Sequence, residues 1–260
     1  MIAPKHSALL VACVLAAPAV ADVTITQTMD GKALGLSGQA AGTTYIKGNK
    51  MRSDAVLGNR THTTIFDLDA QKMYAFDSRK KQADVWDMAA FAAELTQAVD
   101  LSSATGSLRP NGQTKQIAGQ AAAGYDFEMT TAAGMAGAPM TVTMTGPIWI
   151  VEGAPGSADY GAFYAAAAEK GWIFSDPRAA RAQPGQAKAL ASMYEQIAAT
   201  GGIAYETDIE MKFSGSGPLA AVMARMGGTG ITTRVTNVET GPLADDLFVP
   251  PADYKLNTER

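Results

Sequence analysis

The sequence contains one cysteine, Cys13, and two histidines, His6 and His62. One thiol excludes a disulfide framework and a multi-cysteine zinc site. Only His62 lies beyond the first 21 residues, so no multi-histidine metal centre can be assembled there, and its strand-like context Arg60-Thr61-His62-Thr63-Thr64 fits a solvent-side strand residue. The motifs G-x-S-x-G and H-E-x-x-H and a complete calcium loop are missing. No apolar run approaches the ~20 residues that cross a bilayer. The net charge is −4 and no run of Lys and Arg is longer than the three at 79–81, which argues against the electrostatic footprint of a nucleic-acid-binding protein.

The opening residues, MIAPKHSALLVACVLAAPAVAD, combine Lys5 and His6 with an apolar stretch from Ala8 to Ala17. Ala19-Val20-Ala21 follows, before Asp22. This pattern predicts a secretory signal peptide cleaved after Ala21 and a periplasmic destination. Leu10-Val11-Ala12-Cys13 has the spelling of a lipoprotein box. Cleavage there would leave only a short apolar run, so a soluble exported form is expected. Losing residues 1–21 removes Lys5 and Cys13, which brings the net charge from −4 to −5 and leaves no cysteine. Residues 22–260 must then be held by a hydrophobic core alone, and they are long enough for one domain with a sizeable core.

The first half reads as short strands at 23–29, 44–54, 61–68, 73–77 and 82–88. Gly58-Asn59, Asp69-Ala70-Gln71 and Ser78-Arg79-Lys80 serve as turns. Such spacing leaves no room for crossover helices, so an antiparallel meander follows. A helix is expected at 89–99, then a Ser/Gly/Pro-rich loop through Gly112, then strands at 115–118, 122–131 and 140–151. Tyr125, Phe127 and Met129 alternate with Asp126 and Glu128, and Met140, Val142 and Met144 alternate with threonines. One face of these strands is therefore buried and one wet. Helices are expected at 158–170, with Tyr160, Phe163, Tyr164 and Ala167 on one face, and at 186–200, with Leu190, Met193, Tyr194 and Ile197. Gly171 and Gly201 stop them. Strands at 203–213 and 229–240 flank a short helix at 219–226, and Pro250-Pro251 keep the tail extended.

Gly215-Ser216-Gly217-Pro218-Leu219-Ala220 has the spacing of a dinucleotide-binding turn. The strand before it argues against a nucleotide, because Ile209, Met211 and Phe213 alternate with Asp208, Glu210 and Lys212, whereas a nucleotide-binding strand is apolar on both faces. No cofactor is expected. Glu128, Glu152, Asp208 and Glu210 alternate with core residues and fit a wet strand face better than an acid–base pair. Methionine is abundant, at 13 residues. Without supporting His or Cys, it suits an adaptable apolar surface better than a copper site.

A wider resemblance rests on Tyr45-Ile46-Lys47-Gly48-Asn49-Lys50-Met51-Arg52-Ser53-Asp54, the Thr64–Tyr74 hairpin and Gly124-Tyr125. Ile148-Trp149-Ile150-Val151 and the closing Phe248-Val249-Pro250 with Tyr254-Lys255 complete it. These segments resemble the DUF4412 proteins, an exported bacterial family similar to the LolA/LolB-like lipoprotein carriers. The resemblance implies an α+β fold in which a curved antiparallel sheet, an incomplete barrel, has helices over its concave face. It also implies a hydrophobic ligand, a lipid or acyl chain, held without catalysis between sheet and helices. The expected lining is Tyr125, Phe127, Met129, Met140, Val142, Met144, Ile209, Met211 and Phe213 from the sheet, with Phe163, Tyr164, Met193 and Tyr194 from the helices. The alternative is an envelope interaction module with a solid core, meeting a protein partner through its wet face and the loop at 100–114.

Overall fold

The computed structural model describes residues 22–258 apart from 34–35, 99–104, 136–137, 173–176, 183, 217–221 and 223–228. The predicted signal peptide lies outside the described residues, as does the short helix expected at 219–226 except for Val222. Twelve strands form one curved, unclosed sheet. They are β1 (Val23–Ala33), β2 (Leu36–Lys47), β3 (Lys50–Leu57), β4 (Arg60–Asp67), β5 (Lys72–Asp77), β6 (Gln82–Asp87), β7 (Thr105–Ile117), β8 (Gln120–Met135), β9 (Ala138–Glu152), β10 (Gly202–Gly215), β11 (Thr229–Thr240) and β12 (Lys255–Thr258). Their order is β12-β6-β5-β4-β3-β2-β1-β11-β10-β9-β8-β7. Two antiparallel runs, β1 to β6 and β7 to β11, are joined edge to edge by β1 and β11. Among the described residues, only β12 pairs parallel, along β6. β10 is antiparallel to both its neighbours, so the glycine turn that follows it lies in no parallel βαβ unit.

Two sequence expectations are corrected here. The segment 44–54 is not one strand but the tip of the β2–β3 hairpin, where Lys47 pairs with Lys50 and Gly48 turns the chain at a φ of 52°. The expected loop through Gly112 is largely strand β7, with an irregularity between Pro110 and Thr114. β7 is an edge strand, and its residues stay mostly exposed because one side of the ladder has no neighbour.

Among the described residues, four α-helices accompany the sheet: α1 (Met88–Ala98), α2 (Ser157–Glu169), α3 (Pro177–Ala182) and α4 (Pro184–Ala199). α3 was not anticipated. Proline opens both α3 and α4, a position where its missing N–H costs nothing. α2 and α4 bury the faces read from the sequence, and the Tyr164 and Tyr194 rings stack at 5.2 Å where the two helices meet. The main core lies between these helices and the sheet, and Phe91 and Leu95 of α1 extend it toward β6.

The outer face of the first strand run is not wet. Residues 63–67 are all buried, because the segment after β11 folds back over β3 to β6. Phe248, at the end of a 3-10 turn (Asp245–Phe248), packs with Ile65, Phe76 and Ala83 in a second small core. Arg52 Nη1 donates to the Leu247 carbonyl at 3.0 Å while its Nε donates to Asp54. Lys47 Nζ donates to the Leu243 carbonyl at 2.6 Å and pairs with Asp245 at 2.8 Å. The Leu243 N–H donates to Asp22 at 2.7 Å, which ties the end of the sheet to its beginning.

Candidate functional site

Between the sheet and the α2–α4 pair lies a cavity of ≈ 280 Å³. Its floor is formed by alternate residues of strands adjacent in the sheet. Ile25, Gln27 and Met29 come from β1; Ile231, Thr233 and Val235 come from β11. β10 supplies Ile203, Ala204, Thr207, Ile209 and Met211, and β8 and β9 supply Phe127 and Met144. Thr44 of β2 lies opposite Ile25. The roof is Tyr160 and Tyr164 of α2 with Leu190, Met193, Tyr194 and Ile197 of α4.

Strand irregularities aim these side chains. A register shift leaves Tyr205 as an extra residue in β10, so Ala204 and Thr207, on either side of it, both turn inward. A second shift near Thr26 and Gln27 leaves Thr236 as the extra residue of β11. At Gly146, β9 runs so close to β10 that any Cβ would collide with the Asp208 carbonyl. Only glycine allows that approach, and it brings the Met144 end of β9 against the floor.

Of the side chains expected from the sequence, Phe127, Met144, Tyr164, Met193, Tyr194, Ile209 and Met211 line the cavity. Met129, Val142 and Phe163 are buried in the surrounding core, and Phe213 packs against that core half-buried. Tyr125 is half-buried and its hydroxyl donates to Glu152 at 3.0 Å at the exposed margin of the sheet. The Met140 side chain lies outside the described residues. The contributions of β1 and β11 were not foreseen. Their alternation, Ile25-x-Gln27-x-Met29 and Ile231-x-Thr233-x-Val235, was readable, but the pairing that brings them under α4 was not.

The lining carries no Asp, Glu, Lys, Arg or His. Its ionisable groups are tyrosines, and burial pushes the hydroxyl pKa of Tyr160, Tyr164 and Tyr194 up, so all three are neutral. The Tyr164 hydroxyl reaches Met51 Sδ at 3.6 Å. The rings of Tyr160 and Tyr164 meet at 4.7 Å, which braces the roof. Gln27, Thr44, Tyr194, Thr207 and Thr233 make no side-chain hydrogen bond to any other described residue.

A second, polar hollow of ≈ 130 Å³ holds Arg60, His62, Asp77, Asp84, Lys80 and Arg178. Its charges are largely spent on each other, Arg60 on Asp77 and Arg178 on Asp84. Among the described residues, no group of three or more His, Cys, Asp or Glu side chains is placed to hold a metal ion. Of the carboxylates considered in the sequence, Glu152 accepts from Tyr125 and Asp208 from Thr232.

No protein-family model matches the chain, and no curated protein matches it. Among solved structures, PNGF-II is similar over 92% of this chain at 9% identity and a TM-score of 0.37; the chain spans 31% of that protein's length. A LolA superfamily protein from Nitrosomonas europaea is similar over 89% of this chain and 91% of its own, at 7% identity and a TM-score of 0.31. Both likenesses are too distant for any activity to be carried across; the curved antiparallel sheet with helices over its inner face stands on its own strand order and register.

Proposed function

We propose that the protein is a non-enzymatic carrier or binding protein for a hydrophobic ligand, exported to the periplasm after removal of residues 1–21. The observation that supports this reading is the cavity itself. An apolar space of ≈ 280 Å³ sits where the sheet and two amphipathic helices would otherwise close a core. Well-packed interiors hold few voids larger than a water molecule, and ligand sites begin at about 300 Å³. The lining is mainly Ile, Leu, Val, Met and aromatic side chains, and four of its residues are methionine: Met29, Met144, Met193 and Met211. Methionine adapts to variable apolar shapes. Each methylene moved from water into this space contributes about 0.8 kcal/mol. A space of this size favours a carrier over an interaction module with a solid core.

Native mass spectrometry of the protein purified from its own periplasm tests this. A stoichiometric adduct that survives purification and is recovered by solvent extraction is the expected result. A bare polypeptide mass, with no uptake of added fatty alcohols or lipids, would end the carrier reading and turn attention to envelope protein partners.

A further inference from the structure

The size of the cavity and the chemistry of its wall narrow the occupant, on the premise that a ligand is carried at all. A cavity of ~150 Å³ accepts benzene, with its six carbons, and a water molecule takes ~30 Å³ of liquid. On either scale ≈ 280 Å³ holds about ten carbon atoms. Two acyl chains of about sixteen carbons each would need roughly three times that space. The cavity therefore fits one chain of moderate length and not the paired tails of a phospholipid.

The wall also specifies the head group. A carboxylate, phosphate or ammonium brought inside would find no opposite charge, because none of the lining residues carries one. An unpaired charge in such a place is strongly disfavoured. Neutral hydrogen-bonding groups are present and unspent. Thr207 and Thr233 stand directly opposite each other across β10 and β11. Thr233 is also opposite Met29 on β1, which puts Gln27 one diagonal step away. Gln27, Thr207 and Thr233 thus form a polar patch across three adjacent strands of an otherwise apolar floor, with no hydrogen-bond partner among the described residues. The Tyr194 hydroxyl sits in the roof. These side chains are half-buried, and a ligand that covers them takes away their water, so its own hydroxyl, ester or amide must take over the hydrogen bonds.

We propose that the cavity takes a single-chain amphiphile of about ten buried carbons with an uncharged polar head, the head hydrogen-bonded by Gln27, Thr207 and Thr233. A monoacylglycerol or a fatty alcohol is the chemical type. Competition for the neutral ten-carbon fluorescent probe 1-naphthylamine, bound to the full chain at pH 8, provides the test. 1-Monodecanoylglycerol, decanoate and didecanoylphosphatidylcholine are titrated in turn. Monodecanoylglycerol is expected to displace the probe at least about tenfold more effectively than decanoate, whose ionised head would lie unpaired. The two-chain lipid should fail to displace it. The double variant Thr207→Val/Thr233→Val should weaken monodecanoylglycerol about tenfold, as expected for lost hydrogen bonds at a desolvated site. Decanoate binding as well as monodecanoylglycerol overturns the uncharged head, and one-to-one displacement by the phosphatidylcholine overturns the single chain. If neither the probe nor any amphiphile binds, the carrier reading itself fails, a result distinct from the other two.

Discussion

Ala204 lines the cavity opposite Ile150 of β9, half-buried where the main core borders that space. Replacing it with leucine adds three carbons, which occupy roughly 80 Å³, under a third of the cavity. The new side chain enters that space without displacing anything. Burial of three carbons contributes about 2.4 kcal/mol, and fixing the leucine rotamer costs about 0.5–1 kcal/mol. A net gain of about 1–2 kcal/mol is expected, equivalent to a rise of roughly 2–8 °C in Tm for a chain of this size. The same change shortens the room left for a ligand by about three carbons. A ten-carbon amphiphile should lose about 2.4 kcal/mol, roughly fiftyfold in Kd, while a seven-carbon homologue keeps its affinity. Differential scanning calorimetry and probe displacement with a series of monoacylglycerols read the two effects on one preparation. A fall in Tm of several degrees would refute the reasoning, since it would mean that the space beside Ala204 is too small for the added carbons and that leucine overfills the core.

Gly146→Ala forces a Cβ against the Asp208 carbonyl and should cost about 2–4 kcal/mol in urea unfolding; a cost below 1 kcal/mol would mean that β9 and β10 do not approach so closely. Phe248→Ala empties the second core and should cost about 3–5 kcal/mol, while ligand affinity is unchanged because the cavity lies on the other face of the sheet. The buried tyrosines set an alkaline limit. Their pKa is raised in the folded state and near 10 in the unfolded chain, so above pH 10 the unfolded state binds fewer protons and stability falls. Each of these groups that stays protonated in the folded chain while it ionises in the unfolded one steepens the loss by up to about 1.4 kcal/mol per pH unit. Tyr160→Phe/Tyr164→Phe should make the alkaline loss of stability clearly shallower, and an unchanged slope in urea titrations would locate the effect elsewhere.

The strands legible in the sequence were those with period-two alternation and β-branched or aromatic residues, such as β9 and β11; the last matches its expected bounds of 229–240. Those that escaped lack the signal for a physical reason. β2 begins Leu-Ser-Gly-Gln-Ala-Ala-Gly, residues with little side chain to alternate. β7 is polar because an edge strand needs few apolar contacts and is blunted by Pro110. The roof of the cavity was readable from helical spacing in α2 and α4. Half of the floor was not, since local pattern shows which face of β1 or β11 is apolar but carries no information about which strand lies beside it. Nor could burial on the outer face of β4 be read, because it depends on Phe248, which lies far along the chain.

The β1–β11 pairing has a kinetic consequence. Each strand run can assemble from hairpins formed by neighbours in sequence, whereas the seam between them joins residues as far apart as Thr26 and Thr236, a separation of 210. Closing so long a loop is the slow, entropically opposed part of folding. The cavity straddles that seam, with Ile25, Gln27 and Met29 on one side and Ile231, Thr233 and Val235 on the other. An occupant of the proposed kind would therefore grip both runs at once. It acts as a rivet set after the two halves have met, and its departure leaves the last-formed junction of the molecule as the first to open.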